Sequence, residues 1–394
     1  MPVYFWRQAG YYFFLYSVLG LVSPYLGFWL SHTMSEHGLK YAMATFYATM
    51  MFVPALWGHA AFSPRNGKIL PGQWLAFCSL GAAVFSLGLT QISKDIPVMT
   101  VCFLVMAFGL FFNALVALVE SISYTLLNNP SDFSRVRVFG SLGFLVCSVT
   151  LGGNIVLSHP WTFPYLVSAI MTITWLQSTH YKSVSLPISY QGPTNEGLSL
   201  WKSAKKLWSL WGVVALTQAA FACYFAFFAL HLRNLGFSGI AVGGLIGVAV
   251  AAEIFMFLRL GPLVEKYSAR RLIVLSGLLT VGRWLALSWV SGPAWWPVVA
   301  LAQATQAFGF SVFHVSCMRV LKENTSSSQF GALRGLSEAF GYGLGAAGGV
   351  LLAGTLWEQG RHHSVFLLAA GLALGSALFA LFLPKSSHIN GNQN

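Results

Sequence analysis

Charged side chains are scarce in this sequence of 394 residues. Asp, Glu, Lys and Arg make up only 8% of it, whereas 56% of the residues are hydrophobic and the mean hydropathy is +0.67. Because a soluble domain carries about 25% charged residues, the composition excludes a soluble globular protein, a coiled coil and a disordered chain. The apolar stretches are continuous over roughly twenty residues, which is the length of a bilayer-spanning helix and not the alternating pattern of a β-barrel strand.

Cysteine and acidic residues are also few. The five cysteines are odd in number and lie within apolar stretches, so we interpret them as buried apolar side chains and not as disulfide partners or metal ligands. No metal site and no cofactor is predicted. The net charge of +12 comes from basic residues spread over short loops, which argues against nucleic-acid binding and agrees with the positive-inside rule for membrane proteins.

The apolar stretches predict an all-α membrane protein with twelve transmembrane helices. One long polar connection, residues 182–205, divides them into an N-terminal six-helix bundle (1–181) and a C-terminal six-helix bundle with a short tail (206–394). Most loop Lys and Arg residues fall on one side, which predicts cytoplasmic termini. The predicted spans are 9–31, 38–61, 70–92, 97–127, 133–157, 162–181, 206–231, 238–260, 269–291, 294–318, 328–356 and 363–383.

The two halves repeat each other's features at corresponding places. The fifth span opens with Arg137 in RVFGSLGF, and the eleventh opens with Arg334 in RGLSEAFGYGLG. Both spans are rich in glycine, which lets helix backbones approach closely, so we expect two pseudo-symmetric bundles. The glycines concerned are Gly140, Gly143, Gly152, Gly153, Gly341, Gly345, Gly348 and Gly349.

Acidic residues within the spans are candidates for function, because a charge at mid-bilayer costs about 2.5–3.5 kcal/mol and therefore faces a cavity or a partner. Glu253, in the eighth span, is the first of them. Arg283 and His314 lie at similar depth in the ninth and tenth spans, so a carboxylate, a guanidinium and an imidazole on three consecutive helices could exchange a proton. The alternative is a static pair of Glu253 with Arg283 that only stabilises the bundle.

Two further acids lie nearer the cytoplasmic side. Glu120 precedes Arg135 and Arg137, which makes these arginines candidate ion partners in a latch between the bundles or in a substrate contact. Glu338 follows Arg334 by one helical turn, the spacing of an intrahelical ion pair, and we favour a structural role for it.

Amide and phenol side chains within the spans are candidates for solute binding. Gln303 and Gln306 share one face of the tenth span, because residues three apart lie on the same side of a helix. Asn113, Tyr25 and Gln218 are further candidates on spans four, one and seven. For each of them, hydrogen bonding to a neighbouring helix is an equal alternative.

On these residues the chain resembles transporters of the major facilitator superfamily. Gly261-x-x-x-Glu265-Lys266, closing on Arg270 and Arg271, is similar to the superfamily's cytoplasmic loop signature and follows the eighth span as it should. DFSRVRVFGSLGF, EIFMF and QATQAFGFSVFH resemble the branch of phenylpropionate permeases, nucleoside:proton symporters and lactose permease. Lactose permease has a second carboxylate one turn after its histidine, where this chain has Cys317.

The resemblance implies alternating access, with two bundles moving around a midplane site and Glu265, Arg270 and Arg271 contributing to gating. We therefore expect a proton symporter of a small organic solute, such as an aromatic carboxylate that pairs with Arg283. Nucleoside or sugar symport, proton-driven export and a non-transporting receptor are the alternatives, and no nucleophile–base pair or metal cluster indicates an enzyme. The expected setting is a monomer in the bilayer of a bacterial inner membrane, with solute and protons as partners.

Overall fold

The computed structural model describes residues 3–62, 70–127, 130–182 and 197–384, and these ranges contain helices without any β-strand. The helices are α1 (Val3–Thr33), α2 (Glu36–Phe62), α3 (Pro71–Gly88), α4 (Val98–Phe112), α5 (Leu115–Leu126), α6 (Pro130–Val146), α7 (Phe163–Ser178), α8 (Gly197–Lys206), α9 (Trp208–Asn234), α10 (Gly239–Lys266), α11 (Ala269–Trp289), α12 (Trp296–Ala304), α13 (Phe313–Glu323), α14 (Ser327–Glu338), α15 (Ala346–Glu358) and α16 (His362–Ala380).

The prediction of an all-helical membrane protein is confirmed. Within the described residues, ten helical stretches are long and apolar enough to cross a membrane. Helices α2 and α7 lie where the second and sixth spans are predicted, but they are not among these ten stretches. The total of twelve transmembrane helices therefore stays a prediction. Part of the predicted linker forms α8, whereas residues 183–196 lie outside the described residues.

Several spans change their helical pitch along their length. The predicted fourth span is broken between α4 and α5 at Asn113. Wider, π-helical stretches extend α6 over Cys147–Val156, join α12 to α13 over Ala307–Val312, and join α14 to α15 over Ala339–Gly345. Because π-helical turns are frequent at functional sites, the stretches 307–312 and 339–345 direct attention to the middle of their spans, whereas 147–156 lies toward one end of its span.

The two halves pack their helices in the same pairs. In the first half, α1 packs on α6, α2 on α4 and α3 on α7. In the second half, α9 packs on α15 and on the π-helical residues 339–345 before it. Helix α10 packs on α12 and on residues 307–312 after it, and α11 packs on α16. Each second-half pair occupies the position that corresponds to a first-half pair, so the structure repeats itself as its sequence features predict.

The glycine-rich faces make the predicted close approaches. A Cβ atom on Gly143 would lie 2.2 Å from the carbonyl oxygen of Phe13, and one on Gly345 would lie 2.3 Å from that of Ala215. These are equivalent contacts, of α6 with α1 and of residues 339–345 with α9. Gly348 is the exception among the predicted glycines, since no atom of the described residues lies within 4 Å of the Cβ it would carry.

The two halves meet through α1 with α9, α2 with α15, and α10 with residues 147–156. We call the end near residues 34–35 and 235–238 the outer end, and the end near 267–268 and 324–326 the inner end, following the charge assignment. At the outer end a Cβ on Gly27 would lie 2.2 Å from the Ala226 oxygen, and one on Gly239 would lie 2.2 Å from the Gly153 oxygen.

The inner end is more open. The side chains of Arg137, Arg334 and Glu338 remain 50%, 44% and 38% exposed there, although they belong to the spans. The described part of the chain is therefore closed between its halves at the outer end and open toward the inner end.

Candidate functional site

A buried arginine lies at the centre of the second half. Arg283 on α11 is only 2% exposed, and its Nη2 donates a hydrogen bond of 2.7 Å to Oε1 of Gln303 on α12. The guanidinium carbon lies 4.5 Å from the ring centre of Tyr224, 4.3 Å from that of Trp284 and 5.7 Å from that of Phe221. Aromatic faces attract a desolvated cation, so these rings hold the charge away from lipid.

Gln303 connects this arginine to two other helices. It is fully buried, and its Nε2 donates to the hydroxyl of Tyr224 on α9 at 2.7 Å and to the carbonyl of Leu245 on α10 at 3.3 Å. Nε and Nη1 of Arg283 have no hydrogen-bond partner within the described residues. Because an unpaired charge is expensive to bury, this guanidinium is suited to receive an anion.

Glu253 lies close to the arginine without pairing with it. The carboxylate is half-buried on α10, and its electrostatic neighbours are the amide of Gln306 and the guanidinium of Arg283. No ion pair joins Glu253 to Arg283 in the part of the chain that is described. The two groups are electrostatic neighbours without a direct ion pair, and both proton exchange and a static structural role stay predictions. Gln306 is buried, and its Oε1 lacks a partner among the same residues.

His314 does not join this group. Its ring stacks on Phe310 with 6.1 Å between the centroids, and its charged neighbours are Arg334 and Arg137 instead of Glu253. The structure thus brings the carboxylate and the guanidinium together as expected and places the imidazole toward the inner opening. A π-helical stretch, Ala307–Val312, lies between Gln306 and His314, so these two side chains do not keep the angular spacing of a continuous α-helix.

Two ion pairs face each other at the inner opening, one from each half. Arg137 on α6 binds Glu120 on α5 at 2.5 Å, and Arg334 binds Glu338 on the same helix at 3.3 Å. Glu120 is also an electrostatic neighbour of Glu338. Both pairings are present, and their role in gating stays a prediction. Arg135 is exposed on α6, one half-turn before Arg137.

The remaining polar candidates contact neighbouring helices. The hydroxyl of Tyr25 donates to the carbonyl of Ser148 at 2.6 Å, and the amide of Asn113 donates to the hydroxyl of Thr49 at 2.7 Å. Gln218 is buried beside Tyr342. In this conformation these bonds hold α1 to residues 147–156, α4 to α2, and α9 to 339–345.

The loop after α10 depends on an arginine that sequence reasoning missed. Arg319 on α13 donates through Nη1 to the carbonyls of Val264 at 2.5 Å and Tyr267 at 3.2 Å. Glu265, Arg270 and Arg271 make no ion pair within the described residues. The inner end of α10 is therefore held by Arg319, whose position in sequence is about fifty residues away and carries no local signal.

An ion pair across the outer end was also missed. Lys40 lies on α2 and Glu358 on α15, and Nζ of Lys40 lies 2.7 Å from Oε2 of Glu358. Their side chains are only 13% and 11% exposed. The pair joins the two halves beside Gly354, where a Cβ would lie 2.3 Å from that of Lys40.

Two repeated sets of helices meet closely at one end and are open at the other, with buried polar groups between these ends. A family model described as the MFS_1 like family matches residues 5–368. The chain belongs to this family of the major facilitator superfamily. It is a multi-pass membrane transporter and not an enzyme.

Curated relatives cover nearly the whole chain. A "Probable 3-phenylpropionic acid transporter" of Escherichia coli (strain K12) is 26% identical over 382 residues, which cover 94% of this chain and 95% of the relative. A "Maltose permease" of Geobacillus stearothermophilus is 21% identical over 393 residues, with 97% and 95% covered.

Solved structures show the same fold. A crystal structure of a single-residue mutant of the nucleoside transporter NupG superposes with a TM-score of 0.83 at 16% identity and covers 97% of this chain and 100% of its own. The peptide-transporter-family protein PepTSo superposes with a TM-score of 0.76 at 11% identity, with 97% and 98% covered. At these identities the likeness is one of fold alone.

Proposed function

We propose that the protein is a proton-coupled symporter of a small organic carboxylate, with an aryl-propionate as the first candidate. The observation that carries this proposal is Arg283, a buried guanidinium with two nitrogens that lack partners among the described residues. An arginine binds a carboxylate through two parallel hydrogen bonds. The full-length relative named as a 3-phenylpropionic acid transporter supports the choice of solute class.

The surroundings of Arg283 suit an aromatic acid. Trp284 and Phe221 flank the guanidinium, and Phe310 packs edge-on against Phe221 with 6.3 Å between ring centroids. Phe310 is half-buried in the π-helical stretch next to Gln306. The carboxylate of an aromatic acid could therefore pair with Arg283 while its aryl group packs against the neighbouring rings. Gln306 supplies an amide oxygen that has no partner within the described residues.

Glu253 is the coupling group in this proposal. A solute carboxylate on Arg283 would place a second negative charge near Glu253, and two carboxylates at one site repel each other. A proton on Glu253 removes that repulsion. Solute and proton therefore favour each other's binding by the same factor, and one carboxylate moves together with one proton without net charge.

Alternating access then requires the two halves, residues 1–181 and 206–394 joined by the linker 182–205, to move about the midplane. The outer contacts open while Glu120 and Arg137 approach Arg334, Glu338 and His314 to close the inner end. Glu265, Arg270, Arg271 and Arg135 stay candidates for the closed inner surface. We place both termini in the cytoplasm of a bacterium and the monomer in its inner membrane.

Transport by reconstituted vesicles tests the proposal. Aryl-carboxylates, nucleosides and sugars are supplied outside, and solute uptake and internal pH are recorded together. We expect uptake of a carboxylate with internal acidification. Glu253→Gln should abolish acidification, and Arg283→Met should abolish carboxylate uptake, whereas Asp95→Asn and Arg361→Lys, both at exposed outer positions, serve as matched controls and keep both signals.

Three results would overturn it. Carboxylate uptake without proton movement, unchanged by Glu253→Gln, removes the coupling role. Uptake of a nucleoside or sugar in place of any carboxylate favours the neutral-solute alternative. Binding without movement of any solute indicates a receptor.

A further inference from the structure

We infer that Gln303 and Tyr224 do not contact the solute but position Arg283, so that the guanidinium presents one fixed edge to a carboxylate. This inference rests on the proposed function, because it explains why the transporter would prefer a carboxylate. Gln303 is expected from the sequence to bind solute directly, and Tyr224 has no predicted role, so the structure changes the role of one residue and adds the other.

Gln303 has no free donor with which to bind a solute. A glutamine amide carries two N–H donors, and both are used, by the Tyr224 hydroxyl at 2.7 Å and the Leu245 carbonyl at 3.3 Å. Its carbonyl oxygen accepts from Arg283. Every donor of Gln303 and its bond to Arg283 are therefore committed to protein groups, so Gln303 can orient the arginine and has no donor left for a solute.

Aromatic rings restrict the arginine as well. The rings of Tyr224 and Trp284 lie 4.5 and 4.3 Å from the guanidinium carbon and 5.3 Å from each other, so they pack together on one side of it. Nη2 donates to Gln303, Tyr224 is a further side-chain partner of the guanidinium, and Nε and Nη1 have no hydrogen-bond partner among the described residues. The groups left for a solute all lie in the guanidinium plane, which is the direction from which a carboxylate binds bidentately.

The amide is the side chain that this position needs. A carboxylate in its place would accept from Arg283 but would also neutralise it and lose both donated bonds. A leucine would fill the space and leave Arg283 free to rotate about its long side chain. Tyr224 fixes the amide from α9, so its hydroxyl acts on Arg283 through Gln303, in addition to the contact of its ring.

Binding to purified protein, measured by calorimetry with 3-phenylpropionate and with its uncharged amide, 3-phenylpropionamide, tests the inference. Gln303→Leu should weaken 3-phenylpropionate by about 10- to 100-fold, since it removes a hydrogen bond to a charged group, and leave the affinity for the amide unchanged. Tyr224→Phe should act in the same direction and more weakly. The double variant should be no worse than Gln303→Leu alone, and Gln91→Leu at the exposed outer end is the control.

The outcomes separate this inference from the proposed function. If Arg283→Met binds 3-phenylpropionate as the unmodified protein does, or if the unmodified protein does not bind it, the proposed carboxylate anchor fails and the inference fails with it. If Arg283 is required but Gln303→Leu weakens acid and amide equally, Gln303 contacts the solute and only the positioning role is overturned. No loss for either ligand overturns it too. If Gln303→Leu does not fold, the same comparison of acid and amide affinities is made with Tyr224→Phe, and an equal effect on both ligands overturns the positioning role.

Discussion

Neutralising Lys40 should shift the protein toward a conformation that is open at the outer end. The pair of Lys40 with Glu358 joins α2 to α15 at 2.7 Å, with both side chains nearly buried. Removing one partner costs about 3–5 kcal/mol for a buried pair and about 0–1 kcal/mol for an exposed one. For side chains that are 13% and 11% exposed, we expect about 1–3 kcal/mol, which is about a 5- to 150-fold change in the conformational equilibrium.

The substitution destabilises the conformation that is closed at the outer end, because the ion pair forms only when the two halves meet at that end. Lys40→Met keeps the apolar stem of the side chain and removes its charge. Glu358 would then keep a buried carboxylate whose Oε1 already lacks a partner within the described residues, and opening the outer end would return it to water. Glu358→Gln should act in the same direction.

Pulsed EPR measures this change directly. His32 on α1 and Asn234 on α9 line a crevice of about 350 Å³ between the halves at the outer end, and both are exposed. Spin labels at these two positions, in an active background without native cysteines, should show a second, longer distance in Lys40→Met. Lys94→Met, which changes an exposed lysine at the same end, should keep the original distance.

A charge exchange completes the test. The double variant Lys40→Glu/Glu358→Lys restores the attraction and should return the labels to the original distance, whereas Lys40→Glu alone should open the outer end furthest. An unchanged distance distribution in Lys40→Met, or a double variant as open as the single ones, would refute the assignment of this pair as a latch between the halves.

Two other structural features lead to predictions. Gly239→Ala should open the outer end in the same EPR assay, because the added Cβ would lie 2.2 Å from the Gly153 oxygen. Gly244→Ala should not, because no atom in the described part of the chain lies within 4 Å of its Cβ. Equal behaviour of the two variants would contradict this steric argument. Arg319→Gln should lower stability by about 1–2 kcal/mol, since it removes charged hydrogen bonds to the end of α10, and should reduce the thermal unfolding temperature. Lys322→Gln, exposed on the same helix, is the control, and an equal shift would argue against this capping role.

Much of the site could be found from the sequence because buried charges are rare in a membrane. Glu253 and Arg283 stand out within apolar spans, and the structure places them as electrostatic neighbours. Tyr224 could have been noticed as well, since a buried phenol hydroxyl usually has a hydrogen-bond partner. Its partner Gln303 lies seventy-nine residues away, so no local pattern connects the two.

The sequence by itself determined the class of protein and the repeat. Helix spans follow from local composition, because an isolated helix satisfies its own backbone in lipid whatever its neighbours are. The glycine-rich faces likewise indicate where helices approach closely, and they do so at Gly143 and Gly345.

Only the tertiary structure decided which polar groups meet. Lys40 and Glu358 are 318 residues apart and become partners because α2 packs on α15. His314 is separated from Glu253 by the change of helical pitch at residues 307–312. Gln303 bonds to Arg283, Tyr224 and Leu245 because four helices converge there. Side-chain contacts of this kind depend on the rotation and depth of whole helices, which are set by packing across the membrane and not by any one segment.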